Sequence, residues 1–457
     1  MSTIAAISTA PGIGGIGIVR MSGENAYEVL NKIFKPKKEF DINTVKGYTI
    51  KYGYIVNNNE IIDEVLVSFF RAPNSYTTEN LCEISSHGGV YVVRKILEAC
   101  LENGAILAEP GEFTKRAFLN GRMDLSQAEA VIDVINATTE KEAKTSINQL
   151  EGILSKKIKE IRQLLMSVMV EIEVNIDYPE YDVEEITTSK INDILNETSE
   201  KLEKLLKSFE NGKIIKNGIK VAIIGKPNAG KSSLLNNILK EERAIVTNIE
   251  GTTRDTIEES VTISGIPIHI IDTAGIRNTN NEIERIGIEE SRKMAEEADL
   301  IIAIFDVSRE LDEEDEEILE LLKNKPNIVV FNKIDLKVSK IDKQAIEKKI
   351  GNNQIIEISA KEDIGIEKIY EQISNKFELN EINYGNEAII TNIRHKEIIE
   401  NALKNTKKVI EVMKENLPID VIGIYIKDIM EELGKITGES VSDEIIKEIF
   451  SKFCLGK

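Results

Sequence analysis

The apolar, β-branched run Ile219-Lys-Val-Ala-Ile-Ile224 leads directly into Gly225-Lys-Pro-Asn-Ala-Gly-Lys-Ser232, and a helix-compatible run, 233–239, follows. Gly225, Gly230, Lys231 and Ser232 satisfy the G-x-x-x-x-G-K-[ST] pattern of a phosphate-binding loop. The flanking runs matter more than the pattern. Phosphate binding needs backbone N–H groups converging at a helix N-terminus, which requires a strand, a tight loop and a helix in that order. This stretch therefore predicts an α/β domain around it. Asn228, Ala229, Gly230, Lys231, Ser232 and Ser233 are expected to wrap the phosphates, with Lys231 reaching the β/γ-phosphates and Ser232 ligating Mg²⁺.

Three downstream segments complete a guanine-nucleotide site. Asp272-Thr273-Ala274-Gly275 follows the apolar run 268–271, so Asp272 is expected at a strand end, holding Mg²⁺ through water, with the Gly275 N–H toward the γ-phosphate. Asn332-Lys333-Ile-Asp335 follows the buried-strand pattern 327–331. The Asp335 carboxylate can accept from guanine N1–H and N2–H, a donor pair adenine lacks, so losing that contact strands a desolvated carboxylate. Ser359-Ala360-Lys361 is expected to supply a backbone N–H for guanine O6. Four motifs in this order, each at a strand end, predict GTP over ATP.

Gly251-Thr252-Thr253-Arg254-Asp255 lies where a γ-phosphate-sensing loop belongs, and Thr253 is the expected second protein ligand of Mg²⁺. Such loops order around the γ-phosphate and release on hydrolysis. Ras-like enzymes orient the attacking water with a Gln just after Asp-x-x-Gly; here that position is Ile276, which cannot. Glu284 is the candidate replacement, and a plain solvated helix charge is the competing reading. Transition-state charge also needs a cation. Arg254 or Arg277 in cis, or a monovalent cation held by Asn228, can each supply it.

At 457 residues the chain predicts two or three domains. No apolar run approaches ~18 residues, which argues against a membrane span. No secretory signal is evident at Met1-Ser-Thr-Ile, and Cys82, Cys100 and Cys454 form no metal-type spacing, so a reducing cytoplasmic setting is expected. A net charge of −20 disfavours a chain that grips nucleic acid through a broad basic surface, but leaves room for a local basic face. The acidic run 310–317 is expected to be a solvated helix face.

Residues 1–118 alternate strand patterns (3–8, 17–21, 47–56, 64–70, 81–85) with turns before a helix pattern at 90–103, an α+β domain. Apolar residues from Ile147 to Ile172 step by three and four, predicting one long helix; 191–209 resumes the period and Asn211-Gly212 is expected to end it. Helical periodicity returns at 395–416, 420–433 and 443–453. The organisation expected is an N-terminal α+β domain at 1–118, a helical domain from 119–215 and 378–457, and an α/β P-loop GTPase domain at 218–376 inserted into it. Gly12-Ile-Gly-Gly-Ile-Gly17 fits a dinucleotide fingerprint, but a strand-like run follows where a helix is required. His87-Gly-Gly89 lacks any G-x-S-x-G elbow, so His87 reads as a turn or local site residue. The C-terminal Cys454-Leu-Gly-Lys457 is a poor prenylation box. Cys454 is either a plain tail cysteine or part of a docked tail.

Taken with Pro11-Gly12, Gly17-Ile-Val-Arg20, Pro73-Asn-Ser-Tyr-Thr77, Ser86-His-Gly-Gly89, Pro110-Gly-Glu-Phe113, Ala117-Phe-Leu-Asn120, Leu125-Ser-Gln-Ala-Glu129, Ile283-Glu-Arg-Ile-Gly287 and the tail Phe453–Lys457, these motifs resemble the MnmE/TrmE family of tRNA-modification GTPases over nearly the whole chain. The resemblance implies a homodimer joined through the N-terminal domain, which binds a 5-formyltetrahydrofolate-type donor at Arg20, Glu83, Arg122 and Lys457. Arg122 stands where the family often has Lys; the cation is kept, its hydrogen-bond geometry is not. It implies a K⁺-activated hydrolase with Asn228, the Thr247 and Ile249 carbonyls and Thr252 around K⁺, Asn248 and Glu250 within the same nucleotide-contacting loop, and Glu284 orienting water. It implies an FAD- and NADH-using MnmG/GidA-type partner, in a heterotetramer with this chain. Together they act on tRNA, adding a carboxymethylaminomethyl or aminomethyl group at C5 of wobble uridine. For Cys454 it implies a functional tail cysteine near the modification site. A ribosome-assembly GTPase switch is the competing function.

Overall fold

The computed structural model describes residues 1–177, 184–241, 259–271, 286–350, 355–380, 387–413 and 419–457. It divides into two compact units, Met1–Ile132 with Gln149–Leu202 and Ile398–Lys457, and Asp133–Asn148 with Glu203–Glu397. Among the described residues, no helix is long and apolar enough to cross a membrane.

The first unit opens with β1 (Ile4–Ile7), β2 (Gly17–Ser22), α1 (Ala26–Ile33), β3 (Phe34–Pro36), β4 (Thr49–Asn57), β5 (Glu60–Phe70), β6 (Leu81–Ser86), α2 (Val90–Glu102), β7 (Ile106–Leu107) and α3 (Glu112–Leu119). Its seven-stranded sheet runs β3-β4-β5-β6-β2-β1-β7. The β4–β5 hairpin turns at Asn58 and Asn59, with φ of 49° and 64°; asparagine tolerates the paired left-handed backbone that such a tight turn demands. Val19, Met21, Val67, Phe69 and Ile84 point from the strands into one core with Leu30 of α1 and Ile96 of α2. The strands expected at 3–8, 17–21, 47–56, 64–70 and 81–85 all form. Because β2 is a strand, the glycine run before it cannot open the helix of a dinucleotide site.

The helices that follow are α4 (Leu125–Asn136), α5 (Glu140–Leu150), α6 (Ile153–Asp177) and α7 (Glu184–Asn217). Two expectations fail here. The single helix expected from Ile147 to Ile172 is broken at Gly152, whose φ is +81°; Ile147 is exposed, and the buried stripe begins at Leu154. Gly212 does not end α7, which runs on to Asn217. A Cβ at Gly212 would lie 2.0 Å from the Ile390 carbonyl oxygen, so glycine serves close packing there. The stop comes at Gly218, with φ +67°.

The second unit carries β8 (Ile219–Ile224), α8 (Lys231–Glu241), β9 (Glu259–Ile263), β10 (Ile266–Ile270), α9 (Ile286–Glu297), β11 (Leu300–Asp306), α10 (Glu313–Leu321), β12 (Asn327–Asn332), α11 (Lys343–Ile350), β13 (Ile355–Glu357) and α12 (Glu367–Lys376). The sheet order is β13-β12-β11-β8-β10-β9, parallel except for the β9–β10 hairpin. β11 and β12 are buried along their whole length, as parallel strands covered on both faces must be. The carboxyl ends of β8, β11, β12 and β13 therefore converge on one edge, where ligands of such sheets bind. The acidic run is not wholly solvated: Asp312 caps α10, and Asp315 is buried against Arg309, at 2.6 and 2.7 Å to the two guanidinium nitrogens. A charge run shows composition only, and a cap plus a bidentate partner took one member inside.

The chain closes with α13 (Ile393–Met413), α14 (Ile419–Thr437) and α15 (Asp443–Ser451). α14 packs along α6 in the first unit, where Gly423 faces Ile172 and Met169.

Candidate nucleotide site

The phosphate loop begins as β8 ends. A Cβ at Gly225 would meet the Ile304 carbonyl oxygen at 2.5 Å, and one at Gly230 would meet Asn332 Nδ2 at 2.1 Å. Gly230 also has φ +107° and Asn228 φ +63°. Space and backbone conformation together require glycine at 230. The Leu234 N–H donates to the Gly230 carbonyl at 2.9 Å and starts α8, with Ser232 and Ser233 on its first turn. Lys231 Nζ folds back onto the loop, donating to the Gly225 and Lys226 carbonyls at 2.6 and 3.0 Å, and burial lowers its pKa. A phosphate offered to that ammonium meets a positioned donor in a part-buried setting, where charge-assisted bonds are strong.

Asn332 joins three of the expected motifs. Its Nδ2 donates to the Ala229 carbonyl of the phosphate loop at 2.8 Å, and its Oδ1 accepts from the Ala360 N–H at 2.9 Å. The side chain is buried, so each bond is costly to lose. Lys333 follows with φ +70°, and Asp306 Oδ2 takes its ammonium at 2.6 Å. Burial works against the Asp306 charge, but Lys333 and the Ser308 donors outweigh it and lower its pKa. Ser359 Oγ donates to Asp335 Oδ1 at 2.7 Å, aligning the carboxylate expected to read the base. Asn237 Nδ2 of α8 ties the same segment down through the Ala360 carbonyl at 2.7 Å. The Ala360 N–H is thus already directed at Asn332, and Lys361 carries the next N–H along the segment.

Asn228, Ala229, Gly230, Lys231, Ser232, Ser233, Asn332, Lys333, Asp335, Ser359, Ala360 and Lys361 are therefore brought to the strand ends of one sheet. Thr247, Asn248, Ile249, Glu250, Gly251, Thr252, Thr253, Asp272, Thr273, Ala274, Gly275 and Glu284 lie outside the described residues, as do Arg254 and Arg277. Asp306, Arg309 and Lys226 are additions that the motifs do not flag. Lys226 pairs with Asp312 and, at 3.0 Å, with Glu314, tying the phosphate loop to the cap of α10. Burial opposes the Lys226 charge, yet those carboxylates raise its pKa.

A second cluster lies in the first unit, where Arg20, Glu83, Arg122 and Lys457 do assemble. Arg20 pairs with Glu83 at 2.8 Å and donates to the Gly456 carbonyl at 3.3 Å. The Arg20 guanidinium lies over the Tyr76 and Phe113 rings at 5.4 and 5.6 Å, and that of Arg122 over Tyr76 at 4.7 Å. Burial, then the Arg20 charge, lowers the Lys457 pKa against the pull of Glu83. The tail is docked. Ser8 Oγ donates to the Gly456 carbonyl at 3.1 Å, Phe453 is buried, and Gly456 (φ +89°) sits where a Cβ would come 2.2 Å from the Ile7 carbonyl oxygen. Cys454 is exposed on that docked tail. His87 instead pairs with Asp63 at 2.9 Å on the surface, and that hydrogen bond raises its pKa.

Two family models match this chain: the MnmE helical domain over residues 125–454, and the GTP-binding protein TrmE N-terminus over residues 3–122. The tRNA modification GTPase MnmE of Acetivibrio thermocellus is 50% identical over 100% of this chain and 99% of its own length. That of Clostridioides difficile is 49% identical over the same shares. The chain belongs to the MnmE family of tRNA modification GTPases. Among solved structures, the FeoB G-domain from Methanococcus jannaschii is 25% identical, covering 35% of this chain and 98% of that chain with a TM-score of 0.26. The helical-domain match of the MnmE family begins at the start of α4 and extends past α15, so its residue range takes in β8 to β13.

Proposed function

We propose that this chain is the GTP hydrolase of a tRNA-modifying complex. The observation that carries the reading is Asn332, whose two buried hydrogen bonds hold the phosphate loop and the Ser359-Ala360-Lys361 segment in one register. Asp335, aligned by Ser359, reads guanine N1–H and N2–H; Lys231 and the loop N–H groups hold the phosphates. Ser232 and Thr253 ligate Mg²⁺, with Asp272 acting through water. Asn228, the Thr247 and Ile249 carbonyls and Thr252 hold K⁺, which supplies positive charge where other GTPases place an arginine. Glu284 orients the attacking water.

In the first unit the donor set fits a formyl-tetrahydrofolate-type ligand. Glu83 can accept from an N–H edge, the Tyr76 and Phe113 rings offer apolar faces, and Arg20, Arg122 and Lys457 suit carboxylates. Such a folate supplies a one-carbon unit. The chain acts as a homodimer in the cytoplasm with an FAD-dependent MnmG/GidA-type partner, in a heterotetramer. The product is a carboxymethylaminomethyl or aminomethyl group on C5 of wobble uridine. Mass analysis of wobble uridine in tRNA from cells lacking this chain tests the reading: loss of that group supports it, and an unchanged nucleoside refutes it. Replacing K⁺ by Na⁺ is expected to slow hydrolysis sharply with GTP affinity nearly intact; equal rates remove the K⁺ assignment alone.

A further inference from the structure

The net charge of −20 conceals a basic edge on the N-terminal sheet. Between residues 32 and 51, Lys32, Lys35, Lys37, Lys38, Lys46 and Lys51 face only Glu39 and Asp41, an excess of four positive charges. Lys35 lies on the edge strand β3 and Lys37, Lys38 and Lys46 in the loop from β3 to β4, flanked by Lys32 at the end of α1 and Lys51 on β4. Lys35 lies opposite Tyr54 on β4, and the Lys37 N–H donates to the Tyr52 carbonyl at 3.0 Å. Lys51 is drawn over the Phe40 ring at 4.9 Å.

This loop is held in shape from beneath. Ile42 and Val45 are buried, and Phe40 stacks edge-on against Phe69 at 5.8 Å. The Arg71 guanidinium donates to the Val45 carbonyl at 2.5 Å, Ile42 at 3.0 Å and Asn43 at 2.5 Å. The Asp41 carboxylate caps its turn by accepting from the Asn43 N–H at 2.9 Å. Anchors therefore alternate with outward lysines. Elsewhere on the chain, lysines such as Lys157, Lys323, Lys343 and Lys452 pair with carboxylates. Among the described residues, no carboxylate pairs with Lys35, Lys37, Lys38 or Lys46, all of them exposed. Tyr48, 72% exposed, closes the loop; its ring meets Phe70 at right angles with centroids 5.9 Å apart, and most of its surface stays open to solvent.

We propose that this edge is an RNA-contacting surface, with Lys35, Lys37, Lys38 and Lys46 neutralising backbone phosphates and Tyr48 meeting an unpaired base or a ribose. It deepens the function proposed above and rests on it. Fixed, unpaired lysines on an otherwise acidic chain are what phosphate contact needs, because binding then gains counterion release without breaking ion pairs. Stacking on a tyrosine adds sequence-tolerant affinity. The protein's remaining acidity confines a polyanion to this face by repulsion elsewhere.

The test is tRNA binding to the full-length protein across a salt series. The variant Lys35→Glu/Lys37→Glu/Lys38→Glu/Lys46→Glu is compared with a charge-matched control, Lys157→Glu/Lys323→Glu/Lys343→Glu/Lys452→Glu. The edge variant is expected to bind at least about tenfold more weakly than the control at low salt, its salt slope shallower by about 1 per lost contact. Its GTP hydrolysis without RNA should match wild type, and hydrogen exchange in β1, β2 and β6 should match too, which shows that the N-terminal sheet is folded; a milder Lys→Gln set covers the case in which charge reversal unfolds the domain. Equal loss in both variants, or no loss in the edge variant, overturns the surface and leaves the GTPase reading standing. So does a result in which the edge variant loses affinity for anionic vesicles or polyglutamate but not for tRNA. A wild-type protein that hydrolyses GTP yet binds no tRNA at any salt also overturns it.

Discussion

The nucleotide site and the Arg20 cluster are built in opposite ways. The first is made of short contiguous motifs, each at the end of a strand, joined late by one buried side chain, Asn332. The second is made of single residues far apart in the chain: Arg20 meets Glu83 across the β2–β6 pair and the Gly456 carbonyl across 436 positions. Local backbone geometry builds the first, so its identity survives in a few consecutive letters. Tertiary docking builds the second, so it depends on a tail that must first find Ile7, Ser8 and Arg20.

That contrast can be broken by substitutions that should damage one site and spare the other. Lys231→Ala removes the ammonium proposed to hold the phosphates and is expected to slow GTP hydrolysis by about 100-fold or more. Hydrogen exchange in the 452–457 tail should not change; increased exchange there would mean the two sites are not independent. Gly456→Ala places a Cβ on a left-handed backbone and against the Ile7 carbonyl. It should weaken tail docking by about 2 kcal/mol, seen as roughly 30-fold faster exchange at 452–457, with GTP hydrolysis unaltered. A tail that exchanges as slowly as wild type would show that docking does not depend on this close approach. The smallest effect is expected from Asp306→Asn, which leaves the Lys333 ammonium a weaker acceptor. GDP release should quicken by about fivefold, and the same change in a Lys333→Met background should do little more. Full additivity of the two substitutions would show that Asp306 does not act through Lys333.

What was legible in the sequence follows the same division. Gly230 and Lys231 were readable because a phosphate loop constrains neighbours within eight residues. The strands of the nucleotide sheet were readable because parallel strands covered on both faces read as near-continuous apolar runs, as 300–305 and 328–331 do. Asn332 was picked out as a base-motif residue, but its bond to Ala229 joins positions 103 apart, which no local pattern encodes. Gly212 reads as a stop from sequence because glycine in a helix has two meanings, and only the Ile390 backbone beside it decides between them. Ile147 matched the apolar period yet is exposed, because Gly152 turns the chain before the stripe begins. α1 is hard to read from sequence although Ala26, Val29, Leu30 and Ile33 carry its spacing; at eight residues the helix is too short for that period to stand out. The assembly of Arg20, Glu83, Arg122 and Lys457 was reachable only through family resemblance, because charge pairs at such separations leave no periodic trace.

The central claim is that Asp335, set by Ser359 and carried on the turn after Asn332, recognises a guanine base. Competition binding of GTP, ATP and xanthosine triphosphate to wild type and to Asp335→Asn tests it most directly. Wild type should prefer GTP, and the variant should lose GTP affinity by about 100-fold while gaining affinity for xanthosine triphosphate, whose C2 carbonyl suits an amide donor. A variant that still binds GTP as wild type does, and gains nothing for xanthine, would contradict the account.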